Sequence, residues 1–337
     1  MTNRKRIAIV GAGHNALVSA AYLAREGHDV TVYERRPRVG GAVNTEPMWD
    51  GYRVDTCSVM HILIHKTPVL RELDLAPFGL EYMDMDPWGF APFPDGSHIV
   101  FYRDLDRTCR SIAAISERDA EAYRAFVLKW HKFNQGVFDL FAQSPAPGAA
   151  VGTIARHTAA QQMRGGVDPS MTGLHLLRQV LGSYRKMLDE TFTSPQVRAA
   201  VAWMAAQSGP PPSEIGAGAL AGAHSLYHDV GAKRPRGGSG MLSAALARYV
   251  EHHGGTVRCD APARRILTSG GRARGIELED GERVEADVVV SGAHVHTTML
   301  DLVGRENLPA GLAGRLDSLS LGNGIGMTVR CAVDDLP

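Results

Sequence analysis

Residues 7–41, IAIVGAGHNALVSAAYLAREGHDVTVYERRPRVGG, set out a strand, a glycine turn, a helix, a second strand ending in an acid and a second glycine pair, in that order. The unbroken apolar run at residues 7–10 suits a parallel strand buried on both faces. Gly11 and Gly13 let the chain turn tightly and bring its backbone close to a pyrophosphate, and Ala16 stands where this fingerprint accepts Gly or Ala. A helix over about residues 15–26, entered through His14 and Asn15, then points its positive end at the phosphates. Gly27 closes that helix and residues 29–33 form the next strand. Glu34 follows Gly13 at about the twenty-residue spacing of a carboxylate that accepts hydrogen bonds from a ribose. Arg35, beside it, has no single reading. Turn geometry alone would account for the first glycines but not for the second pair, Gly40 and Gly41 after Arg38, so the stretch reads as dinucleotide-binding.

The acid-terminated strand continues as ERRPRVGG, and here the sequence resembles the FAD-containing phytoene desaturase and amine oxidase superfamily. In that superfamily the RxGG segment lies along the pyrophosphate and ribityl chain, so the resemblance implies FAD rather than NAD. Ala42 stands where the family often has Arg. The segments GAGHNAL, RVGGAVNTE, GYRVD, FAPFPDGSHIVFYRD, ISERDAEAY, RPRGGSGMLSAALARYVEHHGGTV and GRARGIELEDGERVEADVVVSGA are similar, in this order, to the phytoene desaturase-like branch. That branch includes the pyridine nucleotide-disulfide oxidoreductase domain-containing protein 2 group. By the same resemblance, backbone near Ala263, where the family tends to have Val, meets the adenine, and Ser291 and Gly292 end a strand beneath the dinucleotide. The expected class is α/β: a Rossmann-like FAD-binding domain at residues 1–75 and 235–300, interrupted by an α+β substrate domain at 76–234 and 301–337.

Composition narrows the partners. Among 337 residues, 36 Lys and Arg balance 36 Asp and Glu, which leaves no net field to gather nucleic acid or an anionic membrane. The start, MTNRKRIAIV, has four apolar residues before Gly11, too few for a signal peptide, and the richest apolar window, residues 199–206, is short and mostly alanine. A cytoplasmic protein without a transmembrane segment is expected, with peripheral membrane contact left open. Cys57, Cys109, Cys259 and Cys331 contain no CxxC and read as reduced, partly buried small residues rather than a redox disulfide.

In the middle segment, runs at residues 90–93 and 98–103 flank the turn Pro94-Asp95-Gly96-Ser97. Ser116 with Asp119 forms a capping box that opens a helix toward about Ala142, with Tyr123, Phe126, Val127 and Trp130 on one face. Leu174, Leu177, Leu181, Tyr184 and Leu188 make a second helical stripe, read as core, with a substrate tunnel or a membrane-lying face as alternatives. Pro210, Pro211 and Pro212, with residues 216–222, mark a loop. Gly237, Gly238 and Gly240, a second set of cofactor candidates, precede a helix over residues 241–253 and a strand from residue 256. A hairpin turning on Glu279-Asp280-Gly281 and a buried strand at residues 287–291 follow.

A flavin itself accepts the reducing equivalents, so the protein has to orient a C–H bond and exclude water, and no conspicuous triad is required. Acid/base candidates are His61, His65, His224, Tyr227 and His228. The pairs His61/His65 and His224/His228 have helical spacing that would suit a metal, but no third ligand accompanies either, so core or loop histidines are preferred and no metal is assigned. His14 either shapes the turn or touches flavin or substrate. The expected function is an FAD-dependent oxidoreductase, of desaturase, dehydrogenase or isomerase type, acting on a largely apolar small molecule. An amine oxidase-like flavoenzyme and a non-catalytic dinucleotide-binding or regulatory subunit are the alternatives.

Residues 326–333 alternate as a sheet strand does. Complete members of the superfamily continue with further strands and a glycine-rich segment that touches the flavin, so the resemblance implies the N-terminal portion of such a protein. The expectation is a split two-chain enzyme, a hetero-oligomer in which a second polypeptide completes the flavin site. A truncated or degenerate relative is the alternative.

Overall fold

The computed structural model describes residues 4–141, 173–319 and 326–335. Its first unit is the expected one: β1 (Arg6–Val10), α1 (His14–Arg25) and β2 (Asp29–Tyr33). Four parallel strands form one sheet in the order Val288–Ser291, β1, β2, Thr256–Arg258. Successive side chains of a strand face opposite ways, and β1 uses both faces. Ile7 and Ile9 pack with α1 and the helix Gly240–His252, whereas Ala8 and Val10 pack against the antiparallel strands Ala263–Ser269 and Arg272–Leu278. That two-sided burial is why residues 7–10 carry no polar side chain. Residues 287–291, expected as a buried strand, form Val288–Ser291, which is only half-buried and lies at the edge of the described sheet.

The middle segment builds a separate core. Trp130, Tyr123, Tyr184 and Phe192 are buried at its centre, beneath the helices Glu117–Phe141, Tyr184–Thr191 and Pro195–Ala206. The expected turn joins Gly89–Pro92 to His98–Phe101 in an antiparallel pair, with Phe93 N donating to Ser97 O at 2.9 Å. A strand, Ala232–Pro235, returns beside Tyr82–Met85 and leads into the helix Gly240–His252.

Several expectations need correction. Ser116 Oγ accepts from Asp119 N at 3.2 Å, but the Asp119 carboxylate turns away from the capping box to accept from Thr193 N, Thr193 Oγ1 and Ser194 N. The residue expected to end that helix, Ala142, lies outside the described residues. The stripe from Leu174 to Leu188 is not one face: Gly182 and Ser183 divide it between Gly173–Leu181 and Tyr184–Thr191, with Ser183 capping the second helix. Tyr184 and Leu188 are buried while Leu177 and Leu181 are exposed. Of residues 216–222, expected as loop, 218–222 belong to the 3-10 helix Gly218–Ala223. Residues 326–333 form no strand, since no described segment pairs with them, and Arg330 instead donates to Asp55 O at 2.6 and 3.0 Å. Cys57 and Cys331 are exposed rather than partly buried. No helix among the described residues is long and apolar enough to cross a membrane.

Candidate dinucleotide site

The site is assembled where β1 stops. Gly11, at φ +87°, turns the chain sharply and donates to Tyr33 O at 2.7 Å, which ties the turn to the end of β2. Ala12 is buried and its N–H donates to Glu34 Oε2 at 2.7 Å. Gly13 caps α1 with extended backbone (φ −66°, ψ 156°) and offers no side-chain oxygen to the first-turn N–H groups. Those donors have no intrahelical partner and lie at the positive end of the helix dipole, an arrangement that favours an anion. Any residue could adopt the backbone of Gly13, and a Cβ there would meet no protein atom within 4 Å. The absence of a side chain at Gly13 therefore keeps a space open rather than relieving a contact.

The second glycine pair lies directly beside the first. Gly40 N donates to Ala12 O at 2.7 Å, Gly13 and Gly40 form a parallel bridge, and a Cβ on Gly41 would sit 3.2 Å from the Gly13 Cα. Gly40 cannot be replaced without strain, since its φ is +124° and its Cβ would come within 2.3 Å of Val43 O. Gly292 closes the same corner: its N–H donates to Val10 O at 2.8 Å, and its missing Cβ would meet the Ala16 Cβ at 2.7 Å. Ala16 and Gly292 are thus small for one reason, the close approach of α1 to the end of the neighbouring strand. Ser291 Oγ pairs with Thr298 Oγ1 at 2.7 Å. Ala263 begins its strand just after Ala261, whose N–H donates to Glu34 O at 2.9 Å, so that segment reaches the same edge.

Glu34 is 6% exposed and its other oxygen accepts from Arg36 N at 2.9 Å, so its carboxylate first clamps the glycine turn to β2. Arg36 pairs with Glu46. Arg35 and Arg38 are exposed with no ion pair among the described residues, and Asn15, Gly41 and Ala42 are exposed beside them. Beneath the glycine pair lies a buried polar floor that the motifs do not announce. Asn44 Nδ2 donates to Gly41 O at 2.7 Å while Asn44 Oδ1 accepts from Thr56 Oγ1 at 2.6 Å. Asp55, 3% exposed, accepts from Thr45 Oγ1 at 2.6 Å, Ser239 N at 2.8 Å and the Arg234 guanidinium at 2.8 Å. Gly238 and Gly240, cofactor candidates by sequence, have an internal reason to be small: a Cβ on either would strike Thr45 at 2.4 to 2.6 Å. The signal for this floor in the sequence is the polar pair Asn44-Thr45 directly after RVGGAV, with Asp55 closing GYRVD.

Next to the turn opens a cavity of about 510 Å³, walled by His14, Asn15 and Val18 of α1 and by Val43, Ser58, Met60, His61, Ile62, Leu63, Ile64, Thr67, Val69 and Leu242. His61 Nδ1 pairs with Tyr82 Oη and its Nε2 with Ser239 Oγ, both at 2.7 Å. Burial, with His65 and His14 nearby, pushes His61 down to about 4. Burial beside Lys233 likewise pushes His65 down to about 4, and burial lowers His14. All three shifts favour the neutral ring, those at His61 and His65 most strongly. The other candidates do not reach this cavity. His224, Tyr227 and His228 stand on and beside Tyr123 in the middle segment's core, where Tyr227 stacks on Trp88 with ring centroids 4.2 Å apart. The two histidine pairs are therefore not one site.

Comparison with known proteins accords with this geometry. The chain is 28% identical to mouse (Mus musculus) pyridine nucleotide-disulfide oxidoreductase domain-containing protein 2, over 98% of the chain and 60% of that protein. It is 28% identical to a limonene dehydrogenase subunit of Castellaniella defragrans, over 90% of the chain and 54% of that protein. The chain thus spans about 60% of the length of the first of these relatives. Its fold is shared with an oxidoreductase from Methanosarcina mazei, at a TM-score of 0.60 and 17% identity, over 93% of this chain and 64% of that one. Residues 17–323 match the family described as flavin containing amine oxidoreductase, and the chain belongs to that family.

Proposed function

We propose that the chain binds FAD across the corner formed by Gly11, Gly13, Gly40, Gly41 and Gly292, and acts as an oxidoreductase on a largely apolar small molecule. The observation that carries this reading is Gly13, a glycine required neither by its backbone nor by any protein neighbour, with unpaired first-turn donors facing the space it leaves. A pyrophosphate fits that cradle. In this reading the pyrophosphate takes the first-turn N–H groups at His14, Asn15 and Ala16, with Arg38 and Ala42 alongside. Glu34 turns its remaining lone pairs to the adenosine ribose with Arg35 at its rim, backbone near Ala263 meets the adenine, and Ser291 supports the dinucleotide from below. Separate hydrophobic cores support a division into a dinucleotide domain, residues 1–75 and 235–300, and a substrate domain, residues 76–234 and 301–337, although Leu80 and Leu302 pack with the dinucleotide side.

A bound flavin supplies a two-electron acceptor. The chain's own part is to position it and keep water away. Val18, Val43, Met60, Ile62, Ile64 and Leu242 favour an apolar group in the cavity over a charged one, which supports desaturase, dehydrogenase or isomerase chemistry over amine oxidation. His61, with both ring nitrogens engaged, serves as a rigid wall, and any proton it moves has to pass through Tyr82 or Ser239. The relative named for limonene supports an apolar substrate, and its designation as a subunit supports a second polypeptide in the working enzyme. The test is acid extraction of the purified native protein followed by identification of the released nucleotide. FAD at about one per chain is expected, and NAD or no nucleotide from a folded sample sinks the reading.

A further inference from the structure

Tyr123, His224 and His228 present a hydrogen-bond tally that does not close with neutral rings. His224 Nε2 lies 3.3 Å from Val201 O and His228 Nδ1 lies 3.0 Å from Arg103 O. A carbonyl oxygen only accepts, so each of these nitrogens must carry the hydrogen. Each ring then turns its other nitrogen, His224 Nδ1 at 3.2 Å and His228 Nε2 at 3.0 Å, toward one hydroxyl, Tyr123 Oη. In neutral imidazoles both of those nitrogens are acceptors, while a tyrosine has one hydrogen to donate. Two acceptors face one donor inside a core where Tyr123 and His224 are 0% and 1% exposed. A buried acceptor left without a donor is costly, and the missing bond is restored by adding one proton.

We infer that Tyr123, His224 and His228 form a proton-binding site, in which one proton taken up from solvent completes a directed chain of four hydrogen bonds. With His228 as imidazolium, Nδ1–H donates to Arg103 O, Nε2–H donates to Tyr123 Oη, the Tyr123 hydroxyl donates to His224 Nδ1, and His224 Nε2–H donates to Val201 O. No bond is left over and none is short of a hydrogen. His228 is the ring that takes the proton, because it is half-buried at the end of the chain nearer solvent while His224 is sealed in. Burial lowers His228, opposed by the Arg103 carbonyl and by Asp104, so the site fills below the ordinary histidine range. Trp88, Phe101 and Phe192 face the network, and the charged or titratable groups near it are few. Arg103 precedes Asp104, Cys109 comes from the helix Leu105–Ala113, and Tyr227 and Asp229 flank His228. Asp229 is held by Lys66 at 2.6 Å, and Asp86 accepts from Arg103 N at 3.1 Å. His224 stays neutral, since a second charge would face the first across one hydroxyl.

The test is long-range proton–nitrogen NMR on the full chain carrying nitrogen-15 histidine. At pH 8 the hydrogen is expected on Nε2 of His224 and on Nδ1 of His228. On acidification His228 alone gains a second one. Finding at pH 8 a hydrogen on either ring nitrogen that faces Tyr123 overturns the inference, because the hydroxyl would then be satisfied without an added proton. Tyr123→Phe keeps the ring and removes the acceptor of the imidazolium, so the His228 titration should move down by about one pH unit. An unchanged His228 titration in folded Tyr123→Phe protein also overturns it.

Discussion

Two buried carboxylates, Glu34 and Asp119, hold the two halves of the molecule together in opposite ways. Glu34 accepts from Ala12 N and Arg36 N, both within the same βαβ unit, and its position is dictated by the strand it ends. Asp119 accepts from Thr193 N, Thr193 Oγ1 and Ser194 N, which lie 74 and 75 residues away along the chain. Burial pushes the Asp119 carboxyl up, but these donors outweigh it and hold the group below the usual carboxylate range. The dinucleotide corner is thus specified mainly by backbone and glycines between Gly11 and Gly41, with Gly292 closing it from far along the chain. The helical segment is specified by side chains that meet only after the chain has folded.

If that contrast is right, the largest effect comes from the least contacted residue. Gly13→Val should remove bound flavin entirely while leaving the unfolding midpoint within about 2 °C of the flavin-stripped parent's, because the new side chain enters open space at an extended backbone and only the stabilisation by bound ligand is lost. Absorbance near 450 nm on the purified variant, beside a thermal melt, reads both quantities. Bound flavin at parental stoichiometry would show that the phosphates lie elsewhere.

The helical core should behave in the reverse sense. Trp130 is 0% exposed, and Gly222 approaches it so closely that a Cβ would come within 2.4 Å of the indole ring. Trp130→Ala should cost about 3–5 kcal/mol in denaturant titration, while flavin per folded molecule stays at the parental value. A loss under about 1 kcal/mol would mean that this core collapses around the gap rather than being held by packing. Asp119→Asn should come next, at about 2 kcal/mol, since an amide turns two donors toward groups that are themselves donors. A neutral result there would show that the tether from Asp119 to Thr193 and Ser194 does not depend on the carboxylate's charge.

What is legible in the chain follows the same division. The order of β1, α1, β2 and Glu34, and the adjacency of the two glycine pairs, follow from short-range geometry, and the fold places them as the motifs imply. The Asn44, Thr45 and Asp55 floor shows in the sequence only as polar residues after RVGGAV and at the end of GYRVD, and its assembly is not legible, because its members join Gly41, Thr56, Ser239 and Arg234 across distances no local pattern encodes. Asp119 departs from its expected role for a related reason: the spacing from Ser116 is that of a capping box, but a carboxylate prefers three donors to one. The helical stripe from Leu174 to Leu188 keeps its period across Gly182, where the backbone does not continue as one helix. Periodicity reports which residues could share a face, and only the breaks decide whether they do.

The smallest expected effect is one in which the two halves agree. His61 beside the cavity is pushed down to about 4 and His224 in the helical core to about 3, in each case first by burial. An unfolded histidine titrates near 6.5, so in both places the folded chain binds fewer protons than the unfolded one as the pH drops. Their contribution is present in full above about pH 6.5 and is lost as the pH falls toward 4. Between pH 7 and 5.5, His61 alone should take away about 1 kcal/mol of unfolding free energy. His61→Asn removes the titrating group, so its stability should fall less steeply over that interval than the parent's, even though the variant is less stable at pH 7. Parallel pH profiles for the two proteins would show that His61 titrates in the folded chain as it does unfolded, so that the cavity wall turns cationic as the pH falls below about 6.5, which would count against a sealed apolar cavity.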